Sequence, residues 1–330
     1  MRRSRAITVN RARCNQPMHP PSKVLIIGYG EMGRAMEHLL KEKHQLAIHD
    51  IRPGQGVPSI NVGQEAAKAD FVLLCVPASP HRDVLGQLAP YLQKHSICLS
   101  IAKGLDDRGL TPAQVYRQVF SGQQAHCLLY GPMISEEIRA GRHAFAELGC
   151  TDTSAYLGVR GLYQGTRLHI RHSTDIAGIS WSAILKNVYA LAFGIADELC
   201  LGDNMRGFLA VTALAELGSI VSRMGGNADA ALSLAGLGDL VTTATSPGSH
   251  HHELGRKLAR GDTQAIRGEG IHTLEMVSRY RLFDTAPYPL YGLIHDIVKA
   301  PLNVALSFEN YLNRIRERGG DVKQAAPGSH

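Results

Sequence analysis

The stretch Lys23-Val24-Leu25-Ile26-Ile27-Gly28-Tyr29-Gly30-Glu31-Met32-Gly33 leaves the chain few choices of fold. A continuous apolar run closed at once by glycines is a strand buried on both faces, which belongs in a parallel sheet covered by helices. The glycine turn opens a helix running to about Lys43. In that order Gly28 permits the tight turn, Gly30 lets a pyrophosphate approach the backbone, and Gly33 lets helix and strand pack closely, with phosphate charge meeting the helix N-terminus. Tyr29, Glu31 and Met32 complete a loop expected to contact a dinucleotide. The next strand, Gln45 to His49, ends in Asp50. An acid about 20 residues after the glycines accepts from the ribose 2′-hydroxyl and repels a 2′-phosphate, which favours NAD. Arg52 leaves NADP open, and Asp50 with Arg52 also fits a plain turn before Pro53-Gly54.

Phe71 to Val76 is a second fully apolar strand, closed by Pro77, which is counted with the cofactor contacts. A helix from about Arg82 to Leu92 leads to a strand, Ser96 to Ala102, and then to Lys103-Gly104-Leu105. Ends of successive parallel strands share one rim, where ligands bind. Lys103 therefore falls where substrate and nicotinamide meet, unless it is a solvated loop residue. Further strands are expected at Cys127 to Tyr130, Ala144 to Leu148 and Arg167 to Ile170. Residues 23–172 thus read as an α/β doubly wound domain with a mainly parallel sheet.

After His172 helical patterns replace strands: Thr174 to about Glu198, Asn204 to Met224 before the stop signal Gly225-Gly226, then Leu254 to Ala259, Ile271 to Tyr280 and Leu290 to Val298. Residues 173–317 are expected to form an all-helical part. Residues 318–330 are expected to be a disordered tail.

The first of these helices carries Lys186 among Ile184, Leu185, Val188, Leu191 and Ala192. Their spacing wraps most of the helix, so the lysine is either desolvated, which lowers its pKa toward the range of proton transfer, or snorkels to the surface along its own stem. Ala183 and Ala190, about one turn to either side, leave room beside the ammonium. Farther on, Asp239 sits in Gly236-Leu237-Gly238-Asp239 and serves either as a projecting carboxylate or as a helix N-cap.

The net charge of +6 is concentrated in the basic arm, which holds Arg2, Arg3, Arg5, Arg11 and Arg13, with Lys23 following, and no acid. The remainder is near neutral, which argues against a nucleic-acid face. Residues 1–22 read as a disordered extension, as sequence upstream of a working start at Met18, or as an organelle-targeting peptide. No run of about 18 apolar residues without charge appears, so no membrane span is expected. The cysteines Cys14, Cys75, Cys98, Cys127, Cys150 and Cys200 form no CxxC pair, which points to a reducing, cytoplasmic setting without a metal framework.

Taken together, GYGEMG (28–33), SIAKGL (100–105), GPMISEE (131–137), LKNVYALAFGIAD (185–197), LGDN (201–204), AGLGDLVTTATS (235–246) and GEG (268–270) resemble the bacterial type of NAD(P)-dependent glycerol-3-phosphate dehydrogenase, from about Val24 to Val298. The resemblance implies a Rossmann domain followed by an all-α domain of the 6-phosphogluconate dehydrogenase-like kind, a homodimer, and a small phosphorylated substrate. It makes Lys186 the catalytic lysine, Lys103 its active-site companion, Asp239 and Thr243 members of the same site, Asn187 a substrate contact, and Glu269 a residue near the cofactor.

One departure stands out. The family's Ser-Arg-Asn triplet, which grips substrate phosphate, reads Ser249-His250-His251 here, followed by His252. Histidine lacks the planar, permanently charged fork of arginine. The expected substrate is therefore glycerol 3-phosphate or a different small phosphorylated or phosphonylated hydroxy compound; a catalytically silent NAD-binding sensor is a third reading. Adjacent histidines do not converge like i, i+4 ligands, so no metal is expected. Ile51 stands where many NADP-using relatives carry arginine, which again favours NAD.

Overall fold

The computed structural model describes residues 20–52, 58–246, 248–262 and 266–320. The basic arm up to His19, the Pro53-Gly54 turn and the tail beyond Gly320 lie outside the described residues.

Strands β1 (Lys23–Ile27), β2 (Gln45–His49), β3 (Phe71–Leu74), β4 (Ile97–Ser100), β5 (His126–Tyr130), β6 (Ala144–Gly149) and β7 (Leu168–Ser173) alternate with helices α1 (Glu31–Leu40), α2 (Val62–Ala66), α3 (His81–Leu88), α4 (Pro112–Phe120), α5 (Ser135–Arg139) and α6 (Thr153–Leu162). They form one sheet in the order β2-β1-β3-β4-β5-β6-β7. Only β5 and β6 pair antiparallel, in the register Leu128 to Gly149 and Tyr130 to Glu147. The order reverses direction at β1, so the loops after β1 and β3 splay apart and leave a crevice at their carboxyl ends.

The apolar runs are explained by burial on both faces. Val24 and Ile26 join the cluster that contains Met36 and Leu40 of α1, while Leu25 and Ile27 join the opposite cluster with Leu85 of α3 and Tyr116 of α4. Successive strand residues point to opposite faces, so both sets must be apolar.

From Ile176 onward the described elements are all helical: α7 (Ile176–Glu198), α8 (Gly202–Arg223), α9 (Asp239–Thr245), α10 (His250–Ala259), α11 (Glu269–Tyr280), α12 (Pro289–Lys299) and α13 (Val304–Gly320). A tight 3-10 turn over Ala228–Leu232 and a wider π turn over Leu234–Gly238 precede α9. The central element is α7, buried without interruption from Gly178 to Ala196. Asp175 caps it by accepting from Gly178 N at 2.8 Å, and its other oxygen accepts from Asn227 N at 2.8 Å.

One expectation is corrected. Helix α13 carries regular backbone to Gly320, past Arg318, where the tail was expected to begin. Val304, Phe308 and Tyr311 make an i, i+4, i+7 stripe that is almost fully buried, which explains why the segment folds. By length and composition alone, α7 and α8 are long and apolar enough to cross a membrane. The apolar window of α7 is 89% buried inside the protein, as befits a core helix, against 39% for α8.

Candidate active site

The crevice above β1 and β3 is built by backbone before side chains. Gly28 adopts φ +94°, and a Cβ there would press on Cys75 O; one on Gly33 would collide with Gly28 O. Gly28 N donates to His49 O at 2.8 Å, and Tyr29 N donates to Asp50 Oδ2 at 2.7 Å. Asp50 Oδ1 takes Arg52 N at 2.8 Å and the Arg52 guanidinium at 3.3 Å. Burial pushes the Asp50 pKa up, yet these bonds outweigh it and hold the carboxyl below its usual range. A cavity of about 390 Å³ opens here, lined by Gly28, Gly30, Asp50, Arg52, Val76 and Pro77 among others.

The other loop residues face elsewhere. The Tyr29 hydroxyl donates to Glu37 at 2.6 Å, and Met32 packs toward the sheet. Glu31 is paired with Arg139 at 2.5 Å and accepts from the Ser135 hydroxyl at 3.2 Å, tying the glycine loop to α5.

Across the crevice the two lysines converge on one carboxylate. Asp239 Oδ2 lies 2.7 Å from Lys103 Nζ and 3.2 Å from Lys186 Nζ. Asp239 is not a helix N-cap: Gly238 fills that position, and the π turn delivers the aspartate as the first residue of α9 with its side chain 5% exposed. Lys103 also donates to Gly131 O at 3.2 Å. Lys186 donates to Thr243 Oγ1 at 2.6 Å, and that hydroxyl in turn donates to Asp239 O at 2.6 Å. Lys186 does not snorkel; it is 5% exposed. Desolvation lowers its pKa to about 8, with Lys103 pushing the same way and Asp239 opposing.

Asn187 fixes the neighbouring backbone by donating to Lys103 O at 3.0 Å. Its Oδ1 is buried and has no hydrogen-bond partner among the described residues. Glu269 bridges the ends of two strands: its carboxylate accepts from the backbone N–H groups of Ala78 and Lys103. Burial raises its pKa, and Lys103 draws it back down.

The three histidines part company. His250 Nε2 lies 2.9 Å from Arg267 O, so that nitrogen carries a proton and donates. His251 Nε2 accepts from Gly270 N at 3.2 Å, which leaves Nδ1–H as its donor. His252 turns away to Asp197 at 2.7 Å. Burial, with Lys186, His250 and Lys103 adding to it, drives the His251 pKa well below its usual value, so this ring is neutral. Ser249 is the N-cap of α10, accepting from His252 N at 3.4 Å. Among the described residues no group of three or more His, Cys, Asp or Glu is placed to hold a metal ion.

Close crossing of α7 and α10 brings these groups together. Gly194 and Gly255 face each other, and a Cβ on either would run into backbone of the opposite helix.

Sequence reasoning missed one residue that shapes this rim. His81 is fully buried, with Nδ1 2.8 Å from Pro77 O and Nε2 2.8 Å from the Ser100 hydroxyl. Pro77 O can only accept, so Nδ1 carries the proton and Nε2 receives the serine. Ser100 Oγ also accepts from Ala102 N at 3.2 Å, so one ring ties the Pro77 loop to the backbone leading into Lys103. No pattern in the sequence links positions so far apart.

Known proteins place this geometry in a family. The model described as the N-terminus of NAD-dependent glycerol-3-phosphate dehydrogenase matches residues 55–156, and the corresponding C-terminal model matches residues 175–308. The chain belongs to the NAD-dependent glycerol-3-phosphate dehydrogenase family. Glycerol-3-phosphate dehydrogenase [NAD(P)+] of Gloeobacter violaceus is 29% identical over 308 residues, covering 90% of this chain and 99% of that one. The enzyme of the same name from Nitratidesulfovibrio vulgaris is 28% identical over 310 residues, covering 83% and 94%. The crystal structure of glycerol-3-phosphate dehydrogenase from Coxiella burnetii superposes with a TM-score of 0.79 at 22% identity, covering 89% of this chain and 99% of that one. That likeness shows the same Rossmann sheet with a helical second half.

Proposed function

We propose that the chain interconverts glycerol 3-phosphate and dihydroxyacetone phosphate with NAD(H), with Lys186 as general acid and base. Bound across Gly28 to Gly33, Asp50 and Pro77, the nicotinamide cofactor would accept or return the hydride. The observation that carries the reading is a buried lysine whose pKa of about 8 suits proton transfer near neutrality, held by two fixed acceptors.

Thr243 and Asp239 each engage Lys186 Nζ, so the remaining valence of the nitrogen is the one left for substrate. In the neutral amine that valence is the lone pair, which takes the hydroxyl proton of the alcohol. In the ammonium it is an N–H, which returns the proton to a ketone and stabilises the developing alkoxide. Asn187 Oδ1 offers a buried acceptor to a second substrate hydroxyl, and Lys103 supplies positive charge for the phosphate. Ser249, His250 and His251 stand at the N-terminus of α10, where the His251 Nδ1–H and the helix dipole favour an anion. We assign 23–172 to cofactor binding and 173–317 to substrate binding and dimerisation, with the enzyme acting in the cytoplasm as a homodimer.

A second reading, in which the substrate is a different phosphorylated or phosphonylated ketone, is favoured by the neutral His251 and by the engagement of His250 with Arg267 O. The deciding experiment is a panel of such ketones with NADH and NADPH. Dihydroxyacetone phosphate should give the highest kcat/KM, and His250→Arg should raise it. A robust rate with another ketone and none with this one would overturn the substrate. Cofactor binding without turnover on the whole panel would favour a silent sensor.

A further inference from the structure

Asp239 and Thr243, the two acceptors on Lys186 Nζ, stand one turn apart on α9, which continues the π turn Leu234–Gly238. Whatever places that run of backbone therefore places both. An amide at its start, Ala235 N, donates to Ser233 Oγ at 3.1 Å and to Glu147 Oε2, on β6, at 3.4 Å. Glu147 is 4% exposed, and a buried carboxylate needs partners for its charge. Its other oxygen, Oε1, accepts from Arg171 Nε at 3.0 Å and Nη2 at 2.5 Å. With one oxygen held by β7, the other is aimed at the π turn.

The same piece of sheet reaches the backbone that holds Lys103. Glu147 stands opposite Tyr130 in the β5–β6 register, and the next residue, Gly131, accepts from Lys103 Nζ at 3.2 Å. A Cβ on Gly131 would press on Phe145 O, so β6 lies tight against this loop. Gly238, the last residue of the π turn, faces Pro132: a Cβ there would lie 3.7 Å from Pro132 Cδ. The Arg171 side chain is 60% exposed and serves as the counter-charge at the outer end.

We propose that Glu147, held by Arg171, is a positioning residue for the acid–base group: it anchors the π turn to the sheet so that Asp239 and Thr243 meet Lys186. The proposal rests on the reading of Lys186 as acid and base. Lys186 also feels Lys103, Glu269 and His251, none of which α9 carries. Removing the anchor therefore changes one influence above the others, that of Asp239. Asp239 raises the Lys186 pKa, whereas burial and Lys103 lower it, so a receding Asp239 leaves the pKa lower than in the wild type.

Glu147→Ala and Arg171→Gln are compared with the wild type in the full chain, by the pH dependence of kcat/KM for glycerol 3-phosphate oxidation. In Glu147→Ala the rate should fall by about tenfold to a hundredfold, the cost of a misplaced reacting group, and the inflection should move to lower pH. Arg171→Gln should move both in the same direction by less; its exposed side chain keeps the test available if Glu147→Ala does not fold. A second readout needs no substrate. The stability of each protein relative to its Lys186→Met counterpart, followed by thermal unfolding against pH, should begin to rise at lower pH in the two variants than in the wild type. If the wild type turns over no ketone or alcohol, the proposed reaction fails, and this readout alone decides the role of Glu147. An inflection and an onset that stay in place in both variants, whatever the melting temperature does, overturn the proposal: Glu147 then only holds the fold.

Discussion

Lys186 Nζ donates to Thr243 Oγ1 over 2.6 Å, and the same hydroxyl spends its only proton on Asp239 O. Thr243 therefore presents nothing but lone pairs to the lysine. It favours the charged ammonium and fixes the direction of the remaining valence. Thr243→Val should lower the pKa that governs alcohol oxidation and reduce kcat by about tenfold to a hundredfold, the range of a misdirected acid–base group. Thr243→Ser should restore both. Comparing pH profiles of the three proteins checks this; a loss of rate with an unmoved profile would mean that Thr243 only packs.

The lysine lowers stability while serving chemistry. Its folded pKa is about 8 against 10.5 unfolded, so at neutral pH the fold holds a charge it disfavours. The sign follows from linkage: stability rises as pH climbs from about 8 through 10.5, because the unfolded state then binds more protons than the native one. Lys186→Met keeps the Lys103–Asp239 pair and removes the buried cation. It should abolish turnover and raise the melting temperature at neutral pH by a few degrees. Thermal unfolding across this pH window measures both effects, and a lower melting temperature for the Met variant at neutral pH would show that the ammonium is a net stabiliser.

Gly255→Ala should act at a distance. Its methyl group would meet Leu191 O in α7, so α10 must move away from α7. A cost of about 1–3 kcal/mol is expected for overpacking. Because α10 carries Ser249, His250 and His251, KM for the phosphorylated substrate should rise more than kcat falls. Equal effects on an exposed control, Gly86→Ala, which has open space around it, would remove the argument.

Local and periodic signals were the legible ones. The Gly28–Gly33 turn and the runs at β1 and β3 could be read because a buried parallel strand demands apolar residues on both faces. Lys186 could be picked out as the one charge in a mostly apolar stretch of helix, but that stretch left burial and snorkelling both open. The antiparallel β5–β6 pairing, the His81 clamp and the close approach of Gly194 and Gly255 were hidden, since each joins residues far apart in sequence. Asp50 was found, but its engagement by Tyr29 N and Arg52 was not, because backbone donors leave no mark on composition. Helix α13 was passed over because Arg314, Arg316, Glu317 and Arg318 mask the buried stripe of Val304, Phe308 and Tyr311.

The most direct measurement is the pH dependence of kcat/KM for oxidation of glycerol 3-phosphate by the wild type, beside Lys186→Ala under the same conditions. The wild-type rate should climb with an apparent pKa near 8, as the amine loses its proton. In Lys186→Ala the rate should fall by at least about a hundredfold and that inflection should vanish. An unchanged inflection in the alanine variant, or an undiminished rate, would contradict the assignment of Lys186 as the acid and base.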